Sequence, residues 1–210
     1  MSEGKIGVDE SGKGDYFGPL VIAACYVGPE HLAELDGVKD SKKLTDPMAH
    51  KLAAVIRKTC PYSTVVIGPD KYNQLYSEIK NLNKLLAWGH ARAIEDLLAK
   101  QPAELVVSDQ FAKPEELQRR LMKLGRTVRL ESRVRAEADI AVAAASILAR
   151  SEFLNRLKRL SEKFGIELPK GASQHVIDAA RKFVEKHGIE SLTQVAKVHF
   201  ATTKSVLDVG

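Results

Sequence analysis

The sequence predicts a mixed α/β domain followed by a helical C-terminal tail. Short apolar runs typical of strands alternate with longer segments that have helical spacing. A glycine-rich turn joins the first two apolar runs, and only helical patterns follow residue 165. At 210 residues with 44% hydrophobic content, the chain is large enough to bury one sizeable core. We therefore expect a single domain over 1–210, with an α/β body over 1–165 and a helical tail over 166–210.

The first half of the chain is predicted to begin with an antiparallel hairpin, because a tight glycine-rich turn separates two apolar runs. The predicted elements in order are strands over 5–8 and 20–27, a helix over 47–58, a strand over 63–68 and a helix over 81–100. The last of these is the clearest amphipathic helix, and Asn81 or Asn83 suits its N-cap.

The second half continues the alternation of strands and helices before the tail begins. The predicted elements are a strand over 103–110, helices over 114–124 and 138–160 with a strand over 127–133 between them, and tail helices over 174–187 and 189–198. The segment "GIELPKGAS" separates body and tail, since its proline and glycines interrupt the helical pattern.

Charge and cysteine content narrow the class of protein. The chain has 32 basic and 27 acidic residues, which give a net charge of +5 and favour an anionic partner such as nucleic acid. Two cysteines, Cys25 and Cys60, form neither a disulfide framework nor a zinc-binding pattern. No window contains the roughly 18 apolar residues of a membrane helix, and the N-terminus lacks the apolar region of a signal peptide. We expect a cytoplasmic protein with no membrane partner.

Acidic residues stand where strands of the predicted sheet end. Asp9 and Glu10 end the first strand, Asp109 ends the strand over 103–110, and Glu137 and Asp139 precede the long helix. Sites in α/β sheets gather at the carboxyl ends of strands, so these acids meet at one edge if the two strands are neighbours. Such a cluster repels itself unless it binds cations, and carboxylate oxygens select Mg²⁺ or Mn²⁺.

Two such ions about 4 Å apart promote phosphodiester hydrolysis, which makes a metal-dependent nuclease the functional hypothesis. Consecutive strand residues point to opposite faces of a sheet, which limits how Asp9 and Glu10 can share one site. Asp9 and Glu10 serve a single site only if the chain bends there, as the following glycines permit, or if Glu10 binds through a neighbouring ion.

Each of these residues also has a structural interpretation. Acid pairs at strand ends are common in solvated turns, Asp109 fits an ordinary turn aspartate, and Asp139 fits the N-cap of the long helix. The Gly12-Lys13-Gly14 turn is not a Walker loop, since the pattern of that loop is missing.

Six motifs in a fixed order resemble the type 2 ribonuclease H family, and most closely its bacterial ribonuclease HIII branch. They are "DESGKGDYFGPLV", "DSKKL", "NLNKLLAWGHA", "SDQF", "RAEADIAVAAASILAR" and "LPKGAS". The continuation "GDYFGP" and the segment "PKGAS" resemble ribonuclease HIII rather than HII. The resemblance covers nearly the whole chain and implies a ribonuclease H-like mixed sheet flanked by helices.

The resemblance implies hydrolysis of the RNA strand of RNA–DNA hybrids, with Mg²⁺ or Mn²⁺, to products with 5′-phosphate and 3′-hydroxyl ends. The family's ligand positions match Asp9, Glu10 and Asp109. The fourth acid matches Glu137, which the "AE" dipeptide favours, with Asp139 as cap or substitute.

The resemblance also suggests residues that bind the substrate. The glycine turn is expected to approach the minor groove, where backbone atoms reach 2′-hydroxyl groups and Lys13 neutralises a phosphate. Further expected phosphate contacts come from Lys42, Lys43 and Ser146, although a solvated lysine pair and a small packing residue are the alternatives. We interpret Asn83 and His90 as structural and Trp88 as core, and Lys170 and Gly171 as bordering the groove or starting a helix.

Ribonuclease HIII proteins usually carry an N-terminal substrate-binding domain, whereas here the catalytic motif begins within ten residues of Met1. We expect that domain to be absent and hybrid binding to rest on basic residues of this domain, with "RVR" and the tail as candidates. No heptad pattern is present, so a monomer is expected.

Two other functions remain open at this point. A nuclease of the same superfold that cuts DNA junctions would use a similar acid cluster. A non-catalytic hybrid-binding protein would keep the fold without the reaction. The candidate acids are all present, which favours an enzyme.

Overall fold

Five strands form one mixed sheet in the order β3-β2-β1-β4-β5. The computed structural model describes residues 4–38 and 44–208. The strands are β1 (Lys5–Ser11), β2 (Leu20–Val27), β3 (Tyr62–Ile67), β4 (Leu105–Asp109) and β5 (Arg129–Arg133). The three strands β1, β4 and β5 run parallel, with Val8 opposite Ser108 and Asp109 opposite Arg133. The predicted mixed α/β class is confirmed, and β1 and β4 are neighbours.

Helices form most of the rest of the described chain. The α-helices are α1 (Asp46–Thr59), α2 (Pro69–Ile79), α3 (Leu82–Leu98), α4 (Pro114–Gln118), α5 (Ile140–Phe164), α6 (Gln174–His187) and α7 (Ala201–Leu207). Short 3₁₀ helices occupy Pro29–Glu34, Gly125–Thr127, Ala136–Ala138 and Ile189–Gln194. No helix in the described part of the chain has the length and apolar character needed to cross a membrane.

Several predicted boundaries agree with the structure. The strand over 20–27 and the helix over 174–187 have the predicted ends. Asn81, rather than Asn83, is the N-cap of α3, since its side-chain oxygen accepts a hydrogen bond from the Lys84 amide at 3.1 Å. The first strand is longer than predicted and runs through Asp9 and Glu10 to Ser11.

Two predicted helices were wrong in extent, and two helices were missed. The helix predicted over 114–124 ends at Gln118, and the amides of Leu124 and Gly125 instead donate to the Glu95 carboxylate of α3 at 2.9 Å. The helix predicted over 189–198 is a 3₁₀ helix that ends at Gln194. Around Leu124, hydrogen bonds to α3 therefore replace the helical bonds that the spacing predicts. Neither α2 nor α7 was predicted.

The beginning of α5 lies directly against β1. A Cβ added to Gly7 would clash with the backbone of Ala141 and Val142, so glycine is required for this close approach. The residues from Ala141 to Ala145 are fully buried, and their small side chains let the helix backbone come near the strand. The end of β1 therefore has the first turns of α5 on one of its faces.

The chain forms two compact units. The first contains Met1–Glu10, Val21–Val65 and Asn81–Ser151, and the second contains Ser11–Leu20, Val66–Lys80 and Glu152–Gly210. The predicted tail lies in the second unit, together with α2 and the glycine-rich segment that follows β1. The division at residue 165 stays a prediction.

Candidate active site

Asp9 lies near the end of β1, and its carboxyl group is in an unfavourable position for a negative charge. Burial and the neighbouring Glu10 carboxylate raise the pKa of Asp9 to about 7, while hydrogen bonds from the Ser146 side chain and the Glu10 amide, together with His90, oppose that rise. The Glu10 amide donates to Asp9 Oδ1 at 2.8 Å. A bound proton or a cation would therefore stabilise this carboxyl group.

Ser146 reaches Asp9 from α5 because Gly7 admits that helix close to β1. The hydroxyl was predicted to contact a phosphate, or to be a small packing residue. In the structure its hydrogen-bond partner is the Asp9 side chain. A direct phosphate contact by Ser146 stays a prediction.

Glu10 contacts a different helix. Its Oε2 atom lies 2.9 Å from Nε2 of His90 on α3. A carboxylate accepts only, so His90 is the donor. Nδ1 of the same ring lies 3.2 Å from the Ser108 hydroxyl, and the Phe111 ring lies 4.5 Å away between centroids. Asp9 therefore faces α5 and Glu10 faces α3, as the alternation of a strand requires.

β1 continues as a strand through Asp9 and Glu10 to Ser11, so the alternation of side chains persists across the two acids and favours the alternative that Glu10 binds through a neighbouring ion. The two carboxylates are nonetheless close enough for the charge of Glu10 to raise the pKa of Asp9. The strand end thus provides two acids with separate supporting partners.

Asp109 ends β4 and follows Ser108, which is paired with Val8 of β1. Asp9 and Asp109 each follow this pair directly on their own strand, so both lie at the same edge of the sheet. Its Oδ1 atom accepts a hydrogen bond from the Ala136 amide at 2.9 Å. The carboxylate therefore also holds the loop that precedes α5.

The structure describes the surroundings of only one of the two candidates for the fourth acid, Asp139. Asp139 Oδ1 accepts a hydrogen bond from the Ala141 amide at 3.0 Å, which is an N-cap interaction at the start of α5. Asp139 Oδ2 lies 2.6 Å from Lys5 Nζ, and Arg133 approaches the same oxygen at 3.7 Å. Asp139 is thus a cap with its own cationic partners. The side chain of Glu137 lies outside the part of the chain that the structure describes.

The donor set suits a hard divalent cation. Within residues 4–38 and 44–208, no three His, Cys, Asp or Glu side chains form a group arranged to hold a metal ion. Two adjacent carboxylates are present, however, and burial together with the charge of Glu10 raises the pKa of Asp9, so a cation beside Asp9 would favour its ionised form. Carboxylate oxygens fit Mg²⁺ or Mn²⁺ better than zinc, so the donor atoms of Asp9 and Glu10 are of the type that such a cofactor prefers.

The glycine turn belongs to the second unit and is tightly held. Gly12 has φ of +89°, and a Cβ there would clash with the carbonyl oxygen of Pro19. Gly14 is exposed and has no neighbour within 4 Å of an added Cβ. Backbone at Gly14 is therefore open to a ligand. Lys42 and Lys43 lie outside the described residues.

A basic cavity of about 450 Å³ lies elsewhere in the second unit. Its lining includes Arg156, Arg159 and Lys163 on α5, together with Gly68 at the start of α2, and contains no acidic residue. Arg156 is paired with Glu152 at 2.7 Å. The cavity therefore presents several positive charges to an anion.

Two side chains of α3, His90 and Trp88, have surroundings that differ from those expected from the sequence. His90 was read as structural, and it is fully buried, but it also links α3 to Glu10. Its place among the apolar residues of α3 was the available signal, because a buried ionisable side chain needs a partner. Trp88 was expected in the core and is 37% exposed, since it shares a solvent-facing stripe with Lys84 and Arg92.

The fold is that of known ribonucleases H. The crystal structure of Bst-RNase HIII in complex with Mn²⁺ superposes with a TM-score of 0.92 at 39% identity, over 99% of this chain and 70% of that one. The RNase HII of a PCNA complex from Archaeoglobus fulgidus superposes with a TM-score of 0.77 at 31% identity, over 93% of each chain. Together, fold and acids define an enzyme of the ribonuclease H class.

The sequence comparisons give the family. Residues 6–203 match the model of the family described as Ribonuclease HII. Ribonuclease HIII of Protochlamydia amoebophila (strain UWE25) is 46% identical over 204 residues, which cover 96% of this chain and 68% of the relative. Ribonuclease HIII of Chlamydia pneumoniae is 44% identical over 203 residues, 94% of this chain and 68% of the relative. The chain belongs to the ribonuclease HII family, and the resemblance to ribonuclease HIII is confirmed.

Proposed function

We propose that this chain is an endonuclease that hydrolyses the RNA strand of RNA–DNA hybrids and leaves 5′-phosphate and 3′-hydroxyl ends. The observation that carries the proposal is the pair of adjacent carboxylates, Asp9 and Glu10, at the end of β1, with Asp109 at the end of the neighbouring parallel strand. This arrangement occurs in a chain of the ribonuclease HII family.

Asp9, Glu10 and Asp109 are the residues proposed to hold Mg²⁺ or Mn²⁺, the second of which is bound in the related Bst-RNase HIII. When bound, a pair of such ions supplies an activated water and stabilises the leaving oxygen. Because burial and Glu10 raise its pKa to about 7, Asp9 is partly protonated near neutral pH and would release that proton when a cation binds. Glu10 is oriented by His90, which fixes one of its oxygens at 2.9 Å.

Substrate recognition is proposed to use the second unit. The exposed backbone of Gly14 offers a surface for ribose 2′-hydroxyl groups, and Lys13 beside it for a phosphate. The basic cavity formed by Arg156, Arg159 and Lys163 offers further phosphate contacts. The phosphate contacts recognise the shape and charge of the duplex. The contacts to 2′-hydroxyl groups distinguish RNA from DNA.

The test is cleavage of an end-labelled RNA strand paired with DNA, with and without Mg²⁺ or Mn²⁺. An all-DNA duplex, a DNA junction and a DNA duplex with one ribonucleotide are run beside it. We expect metal-dependent cutting of the hybrid and none of the all-DNA substrates. Cutting of the junction would instead support a DNA-junction nuclease.

The Asp109→Asn variant separates an enzyme from a binding protein. We expect it to abolish hybrid cleavage while hybrid binding persists, because one carboxylate is lost and repulsion of the substrate is reduced. A folded wild-type protein that binds hybrid and cuts nothing with either metal would establish the non-catalytic alternative.

We further propose that the protein is a cytoplasmic monomer. Cys25 and Cys60 are both free and buried, which fits a reducing compartment. Light scattering during size-exclusion chromatography tests the oligomeric state, and a mass near 23.1 kDa is expected.

A further inference from the structure

Lys197 is a fully buried lysine in the segment between the 3₁₀ helix Ile189–Gln194 and α7. Its Nζ atom donates to the carbonyl oxygens of Asp15 at 2.7 Å and Gly18 at 2.8 Å, and lies 3.5 Å from that of Phe17. Its backbone amide donates to the carbonyl oxygen of Tyr16 at 2.8 Å. A single residue thus binds the backbone of four consecutive residues, 15–18.

These hydrogen bonds explain why a lysine is present at a buried position. Burial lowers the pKa of Lys197 to about 7, and Asp15 opposes this effect. The amine and the ammonium both have the two N–H donors that the two short bonds require. An apolar side chain would fill the space but leave buried carbonyl groups without donors, which is costly.

The Lys197 backbone is itself fixed by α2. The Asn73 side chain donates to the carbonyl oxygens of Thr193 at 3.1 Å and Ala196 at 2.8 Å, and accepts from the Val198 amide at 3.1 Å. The lysine side chain therefore extends from an anchored segment to the one that follows the glycine turn.

The segment that Lys197 holds connects two candidate substrate contacts. The Asp15 amide donates to the Gly12 carbonyl at 3.4 Å, which closes the turn that carries Lys13. Asp15 Oδ1 accepts from the Gly171 amide at 2.7 Å, and the Tyr16 amide donates to the Gly171 carbonyl at 2.9 Å. Gly171 follows Lys170, so the same two residues link the turn to the "LPKGAS" loop.

We propose that Lys197 is a positioning residue that fixes the glycine turn and the "LPKGAS" loop relative to each other, so that Lys13 and Lys170 engage one hybrid together. This inference rests on the proposed function. Lys197 acts through the backbone of residues 15–18 and does not itself contact substrate, since it is fully buried.

The experiment compares steady-state cleavage by the wild type, Lys197→Met and Lys197→Gln, at a temperature where circular dichroism shows each variant folded. We expect Lys197→Met to raise KM for the hybrid at least about tenfold, because a turn that is no longer held in place must be ordered when the hybrid binds. The value of kcat should stay within about threefold of the wild type. Lys197→Gln retains two N–H donors and is expected to raise KM less.

Asn73→Ala is the comparison variant, because it loosens the segment that carries Lys197 but leaves the Lys197 side chain as donor to residues 15–18, so its effect on KM should be the smaller one. It is expected to lower stability but leave KM within about threefold. Asp15→Ala breaks the link to Gly171 while Lys197 remains, and should raise KM as Lys197→Met does. An unchanged KM in Lys197→Met, or an equal increase in Asn73→Ala, would overturn the proposal.

Amide hydrogen exchange gives a readout that does not depend on activity. We expect faster exchange of the Tyr16 amide in Lys197→Met than in the wild type and Asn73→Ala, since its bond to Gly171 loses support. If the wild type cuts no hybrid, the proposed function fails, yet this comparison still decides whether Lys197 orders the turn. Unchanged exchange would refute the positioning role independently.

Discussion

Nε2 of His90 lies 2.9 Å from Oε2 of Glu10, across 80 positions of the chain. The imidazole is fully buried on α3, with Ser108 hydrogen-bonded to its other nitrogen. On the other side of the strand end, Ser146 of α5 is bonded to Asp9. Each of the two adjacent acids is therefore oriented by a different helix, although neither supporting residue is a proposed metal ligand.

Replacement of His90 by leucine is expected to weaken Mn²⁺ binding about 10- to 100-fold, because the hydrogen bond that orients Glu10 is lost. His90→Gln can place an amide donor near the position of Nε2, so we expect a smaller loss. Isothermal titration calorimetry with Mn²⁺ measures both. Equal affinities of His90→Leu and the wild type would show that Glu10 needs no such support.

Asp9→Asn is expected to stabilise the metal-free protein at high pH. Folding raises the pKa of Asp9 from 3.8 to about 7, so between these values the folded state holds a proton that the unfolded state has lost. The free energy of unfolding of the wild type therefore falls as pH rises through this window, by at most about 4 kcal/mol. Asparagine carries no ionisable proton, so Asp9→Asn removes this fall in the free energy of unfolding.

Urea denaturation in EDTA at pH 5 and pH 8 measures the effect. The gain from Asp9→Asn should be larger at pH 8 than at pH 5. Ser146→Ala should have the opposite effect, because it removes a hydrogen bond that lowers the pKa of Asp9. It should reduce the free energy of unfolding more at pH 8 than at pH 5. A gain from Asp9→Asn that is independent of pH would contradict the assigned cause.

The fourth acid is identified by comparing Asp139→Asn with Glu137→Gln. Asparagine keeps the oxygen that caps α5, so Asp139→Asn should retain hybrid cleavage within about tenfold. Glu137→Gln should lower kcat about a hundredfold or more, because a carboxylate near the metal ions is lost. Asp139→Ala serves as the stability control and should lose about 1 kcal/mol through the missing cap. The reverse order of the two activities would make Asp139 the fourth acid.

The basic cavity predicts a specific salt dependence. Arg159→Gln should reduce the slope of log affinity against log salt by about 0.9, since one phosphate contact is lost. Lys158→Gln makes the same charge change on the same helix outside the cavity lining, where Lys158 is paired with Glu162 at 3.8 Å. Fluorescence anisotropy of a labelled hybrid, measured on an Asp109→Asn background, compares the two. Equal slopes would exclude the cavity as a phosphate contact.

The sequence alone determined the alternation of strands and helices, because the spacing of apolar residues and the residue types in turns are local properties of the chain. The all-apolar run over 20–27 predicted β2 with its correct ends, and the acids after two apolar runs predicted candidate ligands at strand ends. The ordered motifs gave the family. All of these inferences depend on residues that are close in the chain.

Only the tertiary structure decided which partners those acids have. His90 is hydrogen-bonded to Glu10, 80 positions away in the sequence, and Lys197 to the backbone of Asp15, 182 positions away. Beyond α4, the Glu95 carboxylate of α3 accepts the Leu124 and Gly125 amides, at the end of the segment that the spacing predicted as helical. Helix spacing and capping preferences contribute little per residue, whereas burial of a polar group requires a specific distant partner. Local patterns therefore specified the elements, and long-range hydrogen bonds specified the site.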